Sequence, residues 1–263
     1  MLIWVAVAWA VVVAGLAAWS VRHSPPTVPE QRTVGQAMPE LQHAAGAVFA
    51  AAGGPGRAVV LGALQVSSGC RVTPVRSGVS LARDVTVYVR AGEQRGDIEA
   101  IAAALPAGYQ VQVTPSRGGT RWVLHADAGN FIGIDMDTSV GDSSFTLRVS
   151  SGCRPVGAGG IDRSDPSAGP APAVLRTTLD ALGGTAEAVT VHTVGCPDGG
   201  TAGTYTVSGL AAPGDWARRL APLASGAAVV RADTSRRAFR TGNDSVLVVS
   251  DGHTLRVSAS TAC

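Results

Sequence analysis

Apolar and polar positions along the chain fall into two rounds of one pattern. An Ala-rich helical stretch from Pro39 to Ala52 ends at Gly53-Gly54, and a second, from Ala173 to Leu182, ends at Gly183-Gly184. A glycine pair just past an apolar helical run is a helix stop. A β-rich run that ends in cysteine follows each stop: RAVVLGALQVSSGC from Arg57 and EAVTVHTVGC from Glu187. Next comes a second strand, strongly alternating at Val85, Val87 and Val89 and more faintly at Tyr205 and Val207.

The correspondence then becomes residue by residue. GDIEAIAAALPAG, from Gly96 to Gly108, and GDWARRLAPLASG, from Gly214 to Gly226, have equal length, with Asp97 and Asp215 in the N-cap position. Ile98, Ile101 and Leu105 in one, and Trp216, Leu220 and Leu223 in the other, share a helical face. Strands through Val111 and Val113, or Val229 and Val230, lead to a hairpin and a closing strand, FTLRVSSGC or HTLRVSASTAC. Each half therefore reads helix, strand, strand, helix, then two or three strands, which predicts an α+β sandwich in duplicate.

The N-terminus stands apart from this pattern. Leu2 to Trp19 is 18 residues without a charge, long enough to be read as a transmembrane helix, with a cleaved signal sequence as the competing reading because Gly15 and Ala17 resemble a weak cleavage site. Arg22 and His23 follow the run and no basic residue precedes it, so charge bias alone would leave the rest of the chain in the cytoplasm.

The cysteines argue against that orientation. Cys70, Cys153, Cys196 and Cys263 contain no close pair of the zinc-ligand kind, and in each half one ends the first strand and the other the last. The duplication selects Cys70 with Cys153 and Cys196 with Cys263 from the three possible connectivities. The hexapeptide VSSGCR, which occurs at 66–71 and again at 149–154, then marks disulfide ends, and such bridges belong outside reducing compartments. The resulting organisation is an anchor at 1–21, a Pro-rich stalk at 22–38, a first repeat at 39–154, a mobile Gly/Pro linker at 155–171 and a second repeat at 172–263.

Composition narrows the function classes. All 21 basic residues are Arg, which reads as GC-rich coding, and the net charge of +2 forms no basic stripe, so nucleic acid is not an expected partner. No Walker loop, dinucleotide fingerprint, G-x-S-x-G elbow or paired-histidine motif is present, and no cofactor is expected. Asp135, Asp137 and Asp142 in GIDMDTSVGD are the one carboxylate group that could hold a divalent cation, against the plainer reading of a solvated strand face. Arg231, Arg236, Arg237 and Arg240 form a cationic cluster suited to an anionic surface or an acidic envelope partner, or to a solvated sheet edge. Arg95-Gly96-Asp97 spells an adhesion tripeptide, but its counterpart in the second half is Pro213-Gly214-Asp215, so the Gly-Asp pair reads as a helix start.

The layout resembles that of envelope proteins of high-GC bacteria, a likeness of type that carries no activity with it. Two function classes follow. One is a membrane-anchored, extracytoplasmic, noncatalytic module binding a protein partner or small ligand in a cleft between the two lobes. The other is an extracytoplasmic hydrolase or metal-dependent enzyme built on the three aspartates.

Overall fold

A computed structural model describes residues 2–23, 32–74, 76–185 and 188–263. Helix α1 is Leu2–His23. The first repeat holds α2 (Val34–Ala52), β1 (Ala58–Leu61), β2 (Gln65–Thr73), β3 (Arg76–Tyr88), α3 (Gln94–Ala104), β4 (Gln112–Ser116), β5 (Arg121–Asp127), β6 (Gly133–Ser139) and β7 (Ser144–Arg154). The second holds α4 (Ala173–Leu182), β8 (Thr190–Gly195), β9 (Thr201–Ala211), the short helices α5 (Trp216–Arg219) and α6 (Ala221–Ala224), β10 (Ala228–Ala232), β11 (Arg236–Thr241), β12 (Asp244–Ser250) and β13 (Thr254–Ser260).

The molecule is α+β, with two antiparallel sheets whose strand orders correspond. The first runs β1-β3-β7-β6-β5-β4, with β2 also paired to β3, and the second runs β8-β9-β13-β12-β11-β10. Four strands, rather than two or three, follow the second helical segment of each repeat. The run predicted as one strand from Arg57 is two: β1 and β2 share one edge of the long β3, separated at Gly62, whose amide donates to the Asp84 carbonyl. In the first repeat α2 and α3 bury Leu41, Val48, Ile98 and Ile101 against Val85, Leu147 and Ile134. In the second, Leu175 and Leu179 of α4, with Trp216 and Leu220, pack on Phe239, Val246 and Val257. These faces are the expected ones, since alternate strand residues point the same way.

Several helix boundaries differ from the predicted ones. Helix α2 starts at Val34, inside the expected stalk, because Thr33 and Gln36 form a reciprocal capping box and Val34, Ala37 and Met38 are buried. The rest of the expected stalk, 24–31, lies outside the described residues. Asp97 is not an N-cap: α3 begins at Gln94, and the Asp97 carboxylate sits 3.4 Å from Arg57. Asp215 does precede α5, yet its carboxylate takes Arg219 Nε at 2.8 Å instead of helix amides. The second amphipathic helix is broken into α5 and α6 around Pro222, which has no amide to continue the helical ladder.

Both disulfides form as the repeat requires. Cys70 joins Cys153 with Cα atoms 5.9 Å apart, and Cys196 joins Cys263 at 5.3 Å. Each bridge straddles a middle strand: β2 and β7 flank β3, and β8 and β13 flank β9. The two copies of VSSGCR lie on the two sides of β3, each with its glycine, Gly69 at φ 90° and Gly152 at φ 62°, in the left-handed region beside a register shift. Such a bulge turns the following cysteine across the strand between them. Gly78 on β3 lies beneath the bridge, where a Cβ would stand 2.8 Å from Cys153 Sγ and 2.6 Å from the Arg154 carbonyl oxygen.

Residues 155–171, expected to be a mobile linker, form an irregular strap bonded to both sheets. The Pro155 carbonyl accepts from the Val34 amide, and the Gly169 carbonyl accepts from the Tyr205 hydroxyl at 2.7 Å. Asp165 receives both terminal nitrogens of Arg83, at 2.8 and 2.7 Å, and the Thr193 amide at 3.0 Å. Composition suggested mobility, and tertiary hydrogen bonds override it. The lobes also share packing: Val194 and Ala202 of the second sheet belong to the α2 core, and Gly46 of α2 lies so close to the Gly195 carbonyl that no side chain fits between them.

Among the described residues no helix is long and apolar enough to cross a membrane, so the transmembrane reading of 1–21 finds no support in the structure. The described apolar side chains of α1, from Ile3 to Trp19, are all exposed.

Because the lobes share a core, the pair of substitutions Cys70→Ser and Cys153→Ser is expected to cost about 2–5 kcal/mol and to lower a transition common to both lobes, not one confined to the first. Denaturation followed separately by the fluorescence of Trp122 and of Trp216, in variants keeping one or the other, checks this; two separated midpoints would contradict it. Burial alone would raise the Asp165 pKa, but the nearby His192 ring and the hydrogen bonds from Arg83 and the Thr193 amide hold it well below the usual value. A carboxyl lowered on folding stabilises above its unfolded pKa, about 4, and that contribution is lost as pH falls further. Asp165→Asn should therefore lower stability at pH 7 by about 3 kcal/mol and flatten the acid limb of stability against pH.

Candidate functional site: the groove between the sheets

Strand β1 has one edge bonded to β3, so the amides of its other edge need acceptors elsewhere. The second sheet supplies them. The Val59 amide donates to Ser245 Oγ at 3.1 Å and the Leu61 amide to Thr204 Oγ1 at 2.8 Å. This docking is possible because the sheet face turned away from α4 carries small hydroxyl residues in registered rows. The row beneath β1 is Arg240, Ser245, Ser260, Thr204 and His192. The next is Ala238, Leu247, Ser258, Thr206 and Thr190, and the last is Arg236, Val249, Arg256 and Ser208.

The second and third rows floor a groove of about 490 Å³, walled on the other side by Val60, Thr86 and Tyr88 of the first sheet. That is the size of a pocket for a small organic molecule. Its chemistry is mixed: Val60, Leu247 and Val249 are apolar, Thr206 and Ser258 share a hydrogen bond at 2.9 Å, and two guanidinium groups reach its rim. Burial raises the Tyr88 pKa, against the opposing charges of Arg236 and Arg231, so this phenol stays neutral over the physiological range. His192 opens the other end, its Nδ1 3.8 Å from the Asp165 carboxylate.

The sequence-predicted aspartates do not converge. The Asp135 carboxylate lies 2.8 Å from His125 Nδ1, within hydrogen-bond distance, Asp137 pairs with Arg121 at 2.7 Å, and Asp142 accepts the Ser139 amide at 2.9 Å in the turn after β6. Among the described residues no group of three or more metal-ligating side chains stands close enough to hold a metal ion. The predicted arginine cluster splits. Arg236 lines the groove, Arg240 lines a separate cavity of about 120 Å³ beside Phe49 and Cys263, Arg231 binds Asp233 and the Ser143 hydroxyl, and Arg237 keeps a buried Nε without a partner. In the Arg-Gly-Asp tripeptide, Arg95 pairs with Glu99 and covers the Trp122 ring, while Asp97 turns to Arg57.

Arg256, His192 and the hydroxyl rows escaped the sequence reading. The signal was available: TLRVS in each closing strand puts Arg and Ser on the face opposite Leu and Val.

No family model matches the chain, and no curated protein matches it. A solved structure, that of a DUF4853 family protein from Actinomyces odontolyticus, aligns with 68% of this chain and 95% of its own at 19% identity and a TM-score of 0.35, a likeness too slight to bear on fold or chemistry.

Among the described residues no hydrogen bond or ion pair engages the guanidinium group of Arg236 or of Arg256. Arg236→Ala and Arg256→Ala are therefore expected to change stability by no more than about 0.5 kcal/mol, whereas Arg83→Ala, which orphans Asp165, should cost about 3 kcal/mol or more. Urea titrations of the three variants test the contrast.

Proposed function

We propose that this chain is a noncatalytic binding module of the cell envelope, held at the membrane by α1 with both sheets outside the cytoplasm, and that its ligand site is the groove between the sheets. The observation that carries the location is the pair of disulfides, one closing each repeat with no cysteine left over, since bridges of this kind persist in oxidising compartments. What supports attachment by α1 is its apolar side chains, exposed from Ile3 to Trp19. The binding site is supported by a groove of ligand size, set between rigid sheets and lined by hydroxyls and guanidiniums. The hydrolase reading lacks a comparable observation, because its three aspartates are each engaged separately.

A reporter fused after Cys263 should be active only when it folds outside the cytoplasm, and deleting 2–19 should release the chain from the membrane fraction. Activity of a cytoplasm-restricted reporter at that position would contradict the topology. Thr206→Trp, which fills the groove, should abolish retention of whatever small molecule or envelope partner the parent protein retains. Unchanged retention would move the site elsewhere.

A further inference from the structure

The two repeats place the same row of residues on the same face, and they fill it differently. In the first repeat the row reads Asp84, Arg148, Asp135 and His125, one residue each from β3, β7, β6 and β5. Each basic side chain there has a carboxylate beside it: Arg148 lies 3.0 Å from Asp84, and His125 lies 2.8 Å from Asp135. The corresponding strands of the second repeat, β9, β13, β12 and β11, carry Ser208, Arg256, Val249 and Arg236. Both carboxylates are gone and both basic positions remain, one of them now a permanently charged guanidinium in place of a histidine.

We propose that this row binds a small organic oxyanion, a carboxylate or phosphate on an apolar body, between Arg236 and Arg256; the proposal rests on the reading of the groove as the ligand site. Two strand spacings put the two Cα atoms about 10 Å apart on either side of Val249. Arginine side chains are long enough to close on one anion from both sides at that separation, and guanidinium is the group best matched to carboxylate and phosphate oxygens. Like charges two strands apart on one sheet face, with only the apolar Val249 between them, oppose each other, so a bound anion relieves a repulsion that the first repeat has already neutralised internally. No Asp or Glu lies among the described residues that line the groove. Ser208 and Thr206 offer hydroxyl donors beside the arginines, while Val60, Leu247, Val249 and the Tyr88 ring provide the surface for the apolar part. The groove exceeds a bare inorganic anion in volume, which is why the ligand needs a body as well as a charge.

Calorimetric titration of the full chain in nonionic detergent, with phenyl phosphate, benzoate and neutral benzyl alcohol as probes, tests the proposal. The two anions should bind, with affinity falling as salt rises, and the alcohol should not. Arg256→Gln should weaken the anions about tenfold or more. Ser208→Asp, which restores the carboxylate of the first repeat, should weaken them at least as much. Arg148→Gln, on the first sheet, should leave binding unchanged. The proposal is overturned if neither anion binds, if the alcohol binds as well as they do, or if both Arg256→Gln and Ser208→Asp bind like the parent. Binding of short-chain phosphatidylglycerol without binding of phenyl phosphate would also overturn it, in favour of a lipid headgroup. Loss of retention by Thr206→Trp together with absence of anion binding would leave the groove as the site and remove only the oxyanion.

Discussion

One buried ion pair decides how the two sheets are held. Arg83 on β3 is fully buried, and a guanidinium in that position is tolerated only if its charge is paired and its donors are used. Its Nε donates to the Gly62 carbonyl, one terminal nitrogen to Gln42 of α2 and Asp165, and the other to Asp165. Asp165 in turn accepts the Thr193 amide of β8. A helix, a strand of each sheet and the connecting strap thus meet at this one ion pair, which makes the connector a structural member. With β8 fixed there, α2 can approach it at Gly46 and β1 can rest its free amides on the hydroxyls of the second sheet. The groove is the space left where β1 stops covering those rows.

Duplication explains both the likeness and the difference of the lobes. The shared strand order and the two bridges across a middle strand keep the same architecture in each. Inward residues of the closing strands are conserved in kind, Leu147 and Val149 against Leu255 and Val257, because each packs under a helix. Outward residues are free of that demand. On the first sheet they form a self-neutralised row, and on the second they face the other lobe, where hydroxyls bind β1 and arginines reach the groove. The sheet face that became an interface in one copy stayed a solvated face in the other.

What could be read from the residues followed from local periodicity and from the repeat. The paired glycine stops, the TLRVS strands and the ends marked by cysteine were enough for the α+β duplicate and the disulfide pairing. Features set by single tertiary contacts were hidden. Nothing in RPVGAGGIDRSDPSAGPAP reveals that Asp165 meets a buried arginine 82 residues away, and a continuous apolar run gives no sign that Gly62 cuts it into β1 and β2. Pro222 was visible and should have broken the second amphipathic helix, since a proline in a helix interior removes a hydrogen bond and clashes with the preceding turn. Of the site, only Arg236 stood among the residues chosen from sequence. Arg256 was passed over because a lone arginine in a strand looks like a solvated edge until its cross-strand neighbours are known.

The central claim is that the lobes form one body through Asp165 and so keep the groove preformed. Amide hydrogen exchange at Val59 and Leu61 measures this most directly, because these amides are bonded only to hydroxyls of the opposite sheet. The account predicts that both are protected nearly as strongly as amides within the strand ladders such as Val207 and Val257. It predicts further that Asp165→Asn releases them while the ladders stay protected. Rapid exchange at Val59 and Leu61 in the parent protein, or protection unaffected by Asp165→Asn, would contradict it.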